Sequence, residues 1–348
     1  KSKYKNWAKS MKGSSLVNNP AGEGETENAI GGAISLLFET TKATAKIGDA
    51  TVIAKDAKIE SNVGHLNFGL AAAGGKGSDL SINGSWNHTT IDSAAITRIG
   101  SGAQINLAGN LDLDAHESAY VIQFAGAISQ SHGTSVGLSG VTVLSDRRAE
   151  VLINDGAGGG SLTIAGDMTM DADVSGVIVA TAVAASVATP APPTQQLQNA
   201  TPSSSSASSS GGVSGATSGR RGAISGAAGQ SQSGYAISGS AIGYEEDIFV
   251  NTDISGLASL TTGTLTARAE DQAVRILIAG SGAVTTTQTG VGVAGAFVVI
   301  DSQKEIGSKI SSTVAHALML GAGSLSLTAR DDSTYFSLAA GMALSTGS

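Results

Sequence analysis

A degenerate unit of about 54 residues recurs along this chain, and that period constrains the fold more than any single motif. Each unit reads as a small-residue apolar strand with glycine, a polar bend, an Ile, a turn, and a short alternating strand. The marker isoleucines are Ile47, Ile99, Ile153, Ile254 and Ile310, separated by 52, 54, 101 and 56 residues. The long interval holds one unit plus a Pro/Ser/Gly tract. A unit that recurs at a fixed period cannot bury its own apolar face and has to stack on its neighbours.

The apolar strands are Ala29–Phe38, Ser135–Leu144 and Gly290–Ile300, with weaker counterparts at Asp79–Trp86 and Ala236–Tyr244. The bends after them are Glu39–Lys42, Asn87–Thr90, Ser145–Arg148, Glu245–Asp247 and Asp301–Glu305. The second half of the unit carries a Leu-x-Ala strand. Leu113-Asp114-Ala115 matches Met170-Asp171-Ala172, Leu265-Thr266-Ala267 and Leu327-Thr328-Ala329, with a loose version at Leu66-Asn67-Phe68. Alternation of period two sets Leu and Ala on one face and the polar residue on the other. A further small apolar strand follows, as at Val121–Ile128 and Val274–Gly280.

Glycine every few residues disfavours helix, and Val, Ile and Thr dominate the periodic stretches. The expected fold class is all-β: a right-handed parallel β-helix of about five repeats, each filling two or three coils of roughly 18–25 residues. Coils stack at about 4.8 Å, which predicts a rod of roughly 70 Å. A β-sandwich array, the competing architecture, would show more aromatics than the 4% present and cleaner hairpin turns. The chain divides into a basic linker or cap (1–28), repeats (29–189), a Pro/Ser/Gly-rich tract (190–233) and repeats (234–348). The tract holds four of the five prolines, and its composition cannot offset chain entropy by burial. It reads as an excursion from the rod or a linker between two stacks.

The net charge of −8 argues against a nucleic-acid partner. No apolar run reaches the length of a transmembrane helix. The chain starts at Lys1 and stops just after a repeat has begun, so it reads as a piece of a longer polypeptide. With no cysteine, stability must come from packing and hydrogen-bond ladders.

Catalytic and metal templates fit poorly, and the sequence nominates no catalytic, cofactor or metal residue. Asp112, Asp114, Asp171 and Asp173 lie in corresponding strands, yet Asp114 and Asp171 meet only if consecutive units are consecutive coils. His65, His88, His116, His132 and His316 lack zinc-site spacing. Gly156–Gly160 lacks the Lys-Ser/Thr of a phosphate loop and reads as a turn. Glu245–Asp247 and Asp331-Asp332 read as charged bends, Trp7 and Trp86 as packing residues, and Thr285–Thr287 as no regular array.

Ile47-Gly48-Asp49-Ala50, Ile99-Gly100-Ser101-Gly102-Ala103 and Gly290–Ala296, in this recurring order, resemble the large bacterial exoproteins exported by two-partner secretion. These are the filamentous adhesins and leukotoxin-type repeat proteins. The resemblance covers about 29–189 and 234–348. It implies a right-handed parallel β-helix, secretion or cell-surface display, and attachment to host cells, neighbouring cells or matrix, glycans among the targets. Self-association along the rod follows from open coil ends. No enzyme activity is expected on this reading; a polysaccharide lyase, hydrolase or tailspike-like depolymerase is the alternative.

Overall fold

The structure, a computed structural model, describes residues 28–100, 102–153, 159–190, 233–311, 317–321 and 323–346. Trp7, His316, Gly156–Gly158, the basic start before Asn28 and nearly all of the 190–233 tract lie outside the described residues.

The chain is a parallel β-helix in which one repeat is one coil. The first coil is β1 (Asn28–Ile47), β2 (Thr51–Ala54) and β3 (Ala57–Lys76). The second is β4 (Leu80–Ile99), β5 (Gln104–Leu107) and β6 (Leu111–Ser131). The third is β7 (Thr134–Ile153), β8 (Ser161–Ile164) and β9 (Met168–Ala188). In the fourth, β10 (Tyr235–Ile254) and β11 (Ser259–Thr262) precede a return strand split into β12 (Leu265–Asp271) and β13 (Val274–Thr285). The fifth has β14 (Val291–Ile310), β15 (Ala317–Leu320), β16 (Leu325–Asp331) and β17 (Thr334–Ser345).

Corresponding strands pair in parallel to give three sheets. Sheet I runs β1-β4-β7-β10-β14, and short sheet II runs β2-β5-β8-β11-β15. In sheet III, β3 pairs β6, β6 pairs β9, and the split strands of the last two coils follow. The marker isoleucines form one unbroken ladder, Ile47–Ile99–Ile153–Ile254–Ile310. Because β7 pairs β10 in that register, one stack continues across the 190–233 tract, which excludes a linker between two separate stacks.

The expectation of two or three coils per unit is corrected. The five polar segments read as bends do not bend. Glu39–Lys42, for example, lies in the middle of the 20-residue β1, and Glu245–Asp247 in the middle of the 20-residue β10. With one coil per unit, five coils rise only about 24 Å, while each long strand spans about 66 Å. The object is therefore a flat blade, long across its axis, and the expected 70 Å rod is not formed by these coils. Two motif alignments also shift. Ala267-Arg268-Ala269 is the true partner of Met170-Asp171-Ala172, and the first-coil counterpart is Ile59-Glu60-Ser61. Leu66 and Phe68 instead point outward.

Inside the blade, sheets I and III face each other and sheet II closes one end. At that wide end the core holds large aliphatics, among them Ile99, Ile105, Leu111, Leu113, Leu162 and Leu265. Toward the other end the gap narrows. Side chains shrink to Ser81, Asn83, Ser129 and Ser238, and finally to Ala188, Ala236 and Ala283. Asn83 Nδ2 donates across the gap to Ser129 Oγ at 3.2 Å. Small residues at these inward positions are what let the two backbones approach.

Side chains also stitch coil to coil at the turn entering sheet III. Asp56 Oδ1 accepts from Asn110 N (2.9 Å), Asn110 Oδ1 from Asp167 N (3.0 Å), and Asp167 Oδ1 from Thr264 N (2.8 Å). Each short Asx side chain satisfies a backbone donor that the turn leaves without a ladder partner.

Candidate functional site: the buried ionic layer and the outer ladders

Polar residues of the supposed bends fill a buried layer midway along the blade. His65 Nδ1 and Glu39 Oε1 lie 2.7 Å apart. Burial would raise the Glu39 carboxyl, but its contacts with His65 and Asn67 prevail and hold it below the usual range. Next along the axis, the Arg147 guanidinium sits 2.5 Å from Glu117, which also accepts from Ser93 Oγ at 2.9 Å; both charged side chains are fully buried. In the fourth coil Arg275, also fully buried, donates to Glu246 (2.9 Å), Asp271 (3.2 Å) and the Ala273 carbonyl (2.7 Å). Tyr244 and Ser302 hydroxyls each donate to Glu246 at 2.7 Å. Burial and the adjacent Glu246 push the Tyr244 hydroxyl far above its ordinary range. Lys304 reaches Asp271 at 2.8 Å and Asp331 at 3.2 Å. Arg147 with Glu117, and Arg275 and Lys304 with Glu246 and Asp271, thus pair opposite charges within the layer.

On the outer face of sheet III, Asp114 and Asp171 are register partners, so the structure brings together the carboxylates whose meeting depended on coil adjacency. Their ladder runs Glu60–Asp114–Asp171–Arg268. Lys58 bridges Glu60 (2.9 Å) and Asp114 (3.1 Å). Asp112 accepts from the Thr169 hydroxyl, and Asp173 lies 2.6 Å from His116 Nδ1. Burial, with the neighbouring Asp173, raises the Asp171 carboxyl; the hydrogen bond to Asp173 raises His116. Cations on the same face thus answer most of these acids.

A ladder that the sequence reading overlooked lies on the outer face of sheet I: Asp92–Asp146–Asp247, one carboxylate per coil in three successive coils. They border a groove of about 710 Å³ whose other walls include Lys42, Arg148, Phe249 and Glu305. The Arg148 guanidinium stacks 4.7 Å from the centre of the Phe249 ring. Burial, reinforced by Asp92 and Asp247, raises the Asp146 carboxyl. Their separations, 54 and 101 residues, equal those of Ile99, Ile153 and Ile254, so the signal was available from the period.

The remaining candidates are dispersed. Glu246 turns inward to Arg275, whereas Glu245 and Asp247 are register partners of Leu144 and Asp146 on the outer face. Asp331 meets Lys304, and Asp332 meets Arg330 at 2.6 Å. Trp86 lies on the outer face against Gly140, where a Cβ would come 2.2 Å from its ring. His88 contacts Thr90 (3.1 Å) and His132 contacts Thr189 (3.0 Å). Thr285 and Thr287 are buried, so no exposed threonine array exists there. Among the described residues no group of three or more His, Cys, Asp or Glu is placed to hold a metal ion, and no helix is long and apolar enough to cross a membrane.

No family model, curated protein or solved structure matches this chain.

Proposed function

We propose that this chain is a segment of a large secreted or cell-surface repeat protein, acting as a structural filament and as an adhesin through multivalent surface contacts. The resemblance to two-partner-secretion exoproteins supports the reading, and the observation that carries it is the in-register stacking of identical outer positions. A side chain placed once per coil is repeated about every 4.8 Å, so weak contacts add along the axis. Extended reach would come from further coils added to the outer faces of β1–β3 and β14–β17, whose backbone edges have no partner strand among the described residues. The test is binding of the fluorescent chain, free and displayed on beads, to epithelial cells, matrix proteins and a glycan array. Bead display is expected to strengthen retention on one of these surfaces at least a hundredfold. Equal background retention of beads and an uncoated control on all of them would defeat the proposal.

A second reading, a polysaccharide-degrading β-helix, is favoured by the Asp92–Asp146–Asp247 groove. Neighbouring coils set the strands that carry these carboxylates about 4.8 Å apart, close to the carboxyl spacing of retaining glycosidases, and the raised Asp146 suits an acid. Release of reducing ends from a polysaccharide panel, abolished in Asp146→Asn, would establish it; no release from any substrate would end it.

A further inference from the structure

The outer face of sheet III changes character at the level of the buried ionic layer. Toward sheet II it is charged. Between Gly64 and Lys76 it is apolar: the five outward columns from Leu66 to Gly74, followed by register through β6, β9, β13 and β17, contain no Asp, Glu, Lys or Arg. The exposure is not confined to end coils, since Tyr120, Ile122 and Ile128 of the second coil are 51%, 45% and 63% exposed. Phe68 and Met342 complete the surface at its two axial ends.

Five columns at about 6.7 Å and five strands at about 4.8 Å give a flat patch of about 33 by 24 Å, or roughly 800 Å². Monomeric soluble proteins rarely leave so large a charge-free surface uncovered. Two such faces in contact bury about 1,600 Å², the standard size of a stable protein interface. The patch also suits another sheet, because a sheet face with protruding Ile, Phe and Leu can form one half of a face-packed sandwich. A bilayer fits less well. Insertion of this half would carry the outer edges of β3 and β17, which have no partner strand among the described residues, into hydrocarbon, where each unsatisfied backbone group costs several kcal/mol. The outer face of sheet I in the same half is a poorer mate, since the polar side chains of Asn28, His88, Thr134 and Thr142 interrupt it.

We infer that a second copy of this chain covers the apolar half of sheet III, pairing two blades face to face. This lateral contact differs from axial stacking through open coil ends, and it needs only the fold, not the adhesive role.

Sedimentation velocity of the chain between about 1 and 100 μM tests it. The expected result is a concentration-dependent monomer–dimer equilibrium. Ile122→Lys and Thr181→Lys, both at outward positions near the patch centre, should weaken it at least tenfold with the 217 nm circular dichroism unchanged. Phe297→Lys, on the opposite face, should leave it intact. If a lysine variant loses its β signal, Ile122→Ser serves as the milder probe and should still weaken the dimer. A wild-type chain that stays monomeric at 100 μM overturns the inference, as does a dimer unaffected by the sheet III variants. So does flotation of the wild type with neutral phosphatidylcholine vesicles, lost in Ile122→Lys, without any dimer in buffer; that result would assign the face to lipid.

Discussion

Arg275→Met tests whether the ionic layer holds the fourth coil together. The guanidinium is fully buried and serves Glu246, Asp271 and the Ala273 carbonyl. After its removal Asp271 keeps Lys304 at 2.8 Å and the Ala273 amide at 3.0 Å. Glu246 keeps only hydroxyl donors, from Tyr244, Ser302 and Tyr335. One carboxylate is thus left buried without a cation. Breaking a buried pair costs about 3–5 kcal/mol, and the surviving partners place this case near 3. Solenoids can unfold in stages, so a local readout is required. Hydrogen exchange of peptides within 265–285 should quicken roughly a hundredfold, since each 1.4 kcal/mol is tenfold, while peptides from the second coil change little. Arg275→Met combined with Glu246→Gln removes the orphaned charge and should recover to within about 1 kcal/mol of the parent. If the single variant costs under 1 kcal/mol, or the double variant is no better than the single, the layer is not organised by charge pairing.

Three further outcomes follow from packing and titration. Ile153→Ala, at the centre of the isoleucine ladder, should cost about 2–5 kcal/mol in urea unfolding, and Ile47→Ala in the first coil markedly less; equal losses would contradict the ladder as the core's axis. Gly176 has φ +113° and a Cβ there would sit 2.1 Å from the Ala119 carbonyl oxygen, whereas Gly280 has open space; Gly176→Ala should cost about 2 kcal/mol or more in the same assay and Gly280→Ala almost nothing. His116 is raised by Asp173, so its contribution is complete below about pH 6.5 and is lost as pH rises through the folded value. His116→Gln should therefore lose a few tenths of a kcal/mol at pH 5.5, given the exposed site, and nothing by pH 9; a pH-independent difference would rule out the ion pair.

The period, the all-β class and the isoleucine ladder were legible in the sequence because they depend on spacing alone. The number of coils per unit was not. Glu39, Arg147 and Glu246 look like loop residues in a linear reading, since a charged residue in a strand is normally assigned to solvent. Their partners, His65, Glu117 and Arg275, lie on the opposite sheet 26 to 30 residues away, and only the return of the chain joins them. The Leu66-Asn67-Phe68 alignment failed for the converse reason. Here Asn67 faces inward while Leu66 and Phe68 face out, so a rule that buries Leu and Phe selects the wrong parity.

That inversion is a consequence of geometry. Beyond the ionic layer a second buried cluster, including Val141, Val143, Ile178, Ile242 and Leu277, still fills the gap, and only nearer the tight turn do the inward positions become Ala, Ser, Gly and Asn. Burial of such small groups yields little transfer energy, and the sheets at this end are held chiefly by backbone ladders and by bonds such as Asn83 to Ser129. Past the ionic layer large apolar residues also stand on the outside, Leu66, Phe68, Ile122 and Ile128 among them. The wide half therefore behaves as a self-sufficient core with a soluble skin. The narrow half has a smaller core of its own and carries further hydrophobic residues on the skin, where another sheet, and not its own chain, is the surface able to bury them.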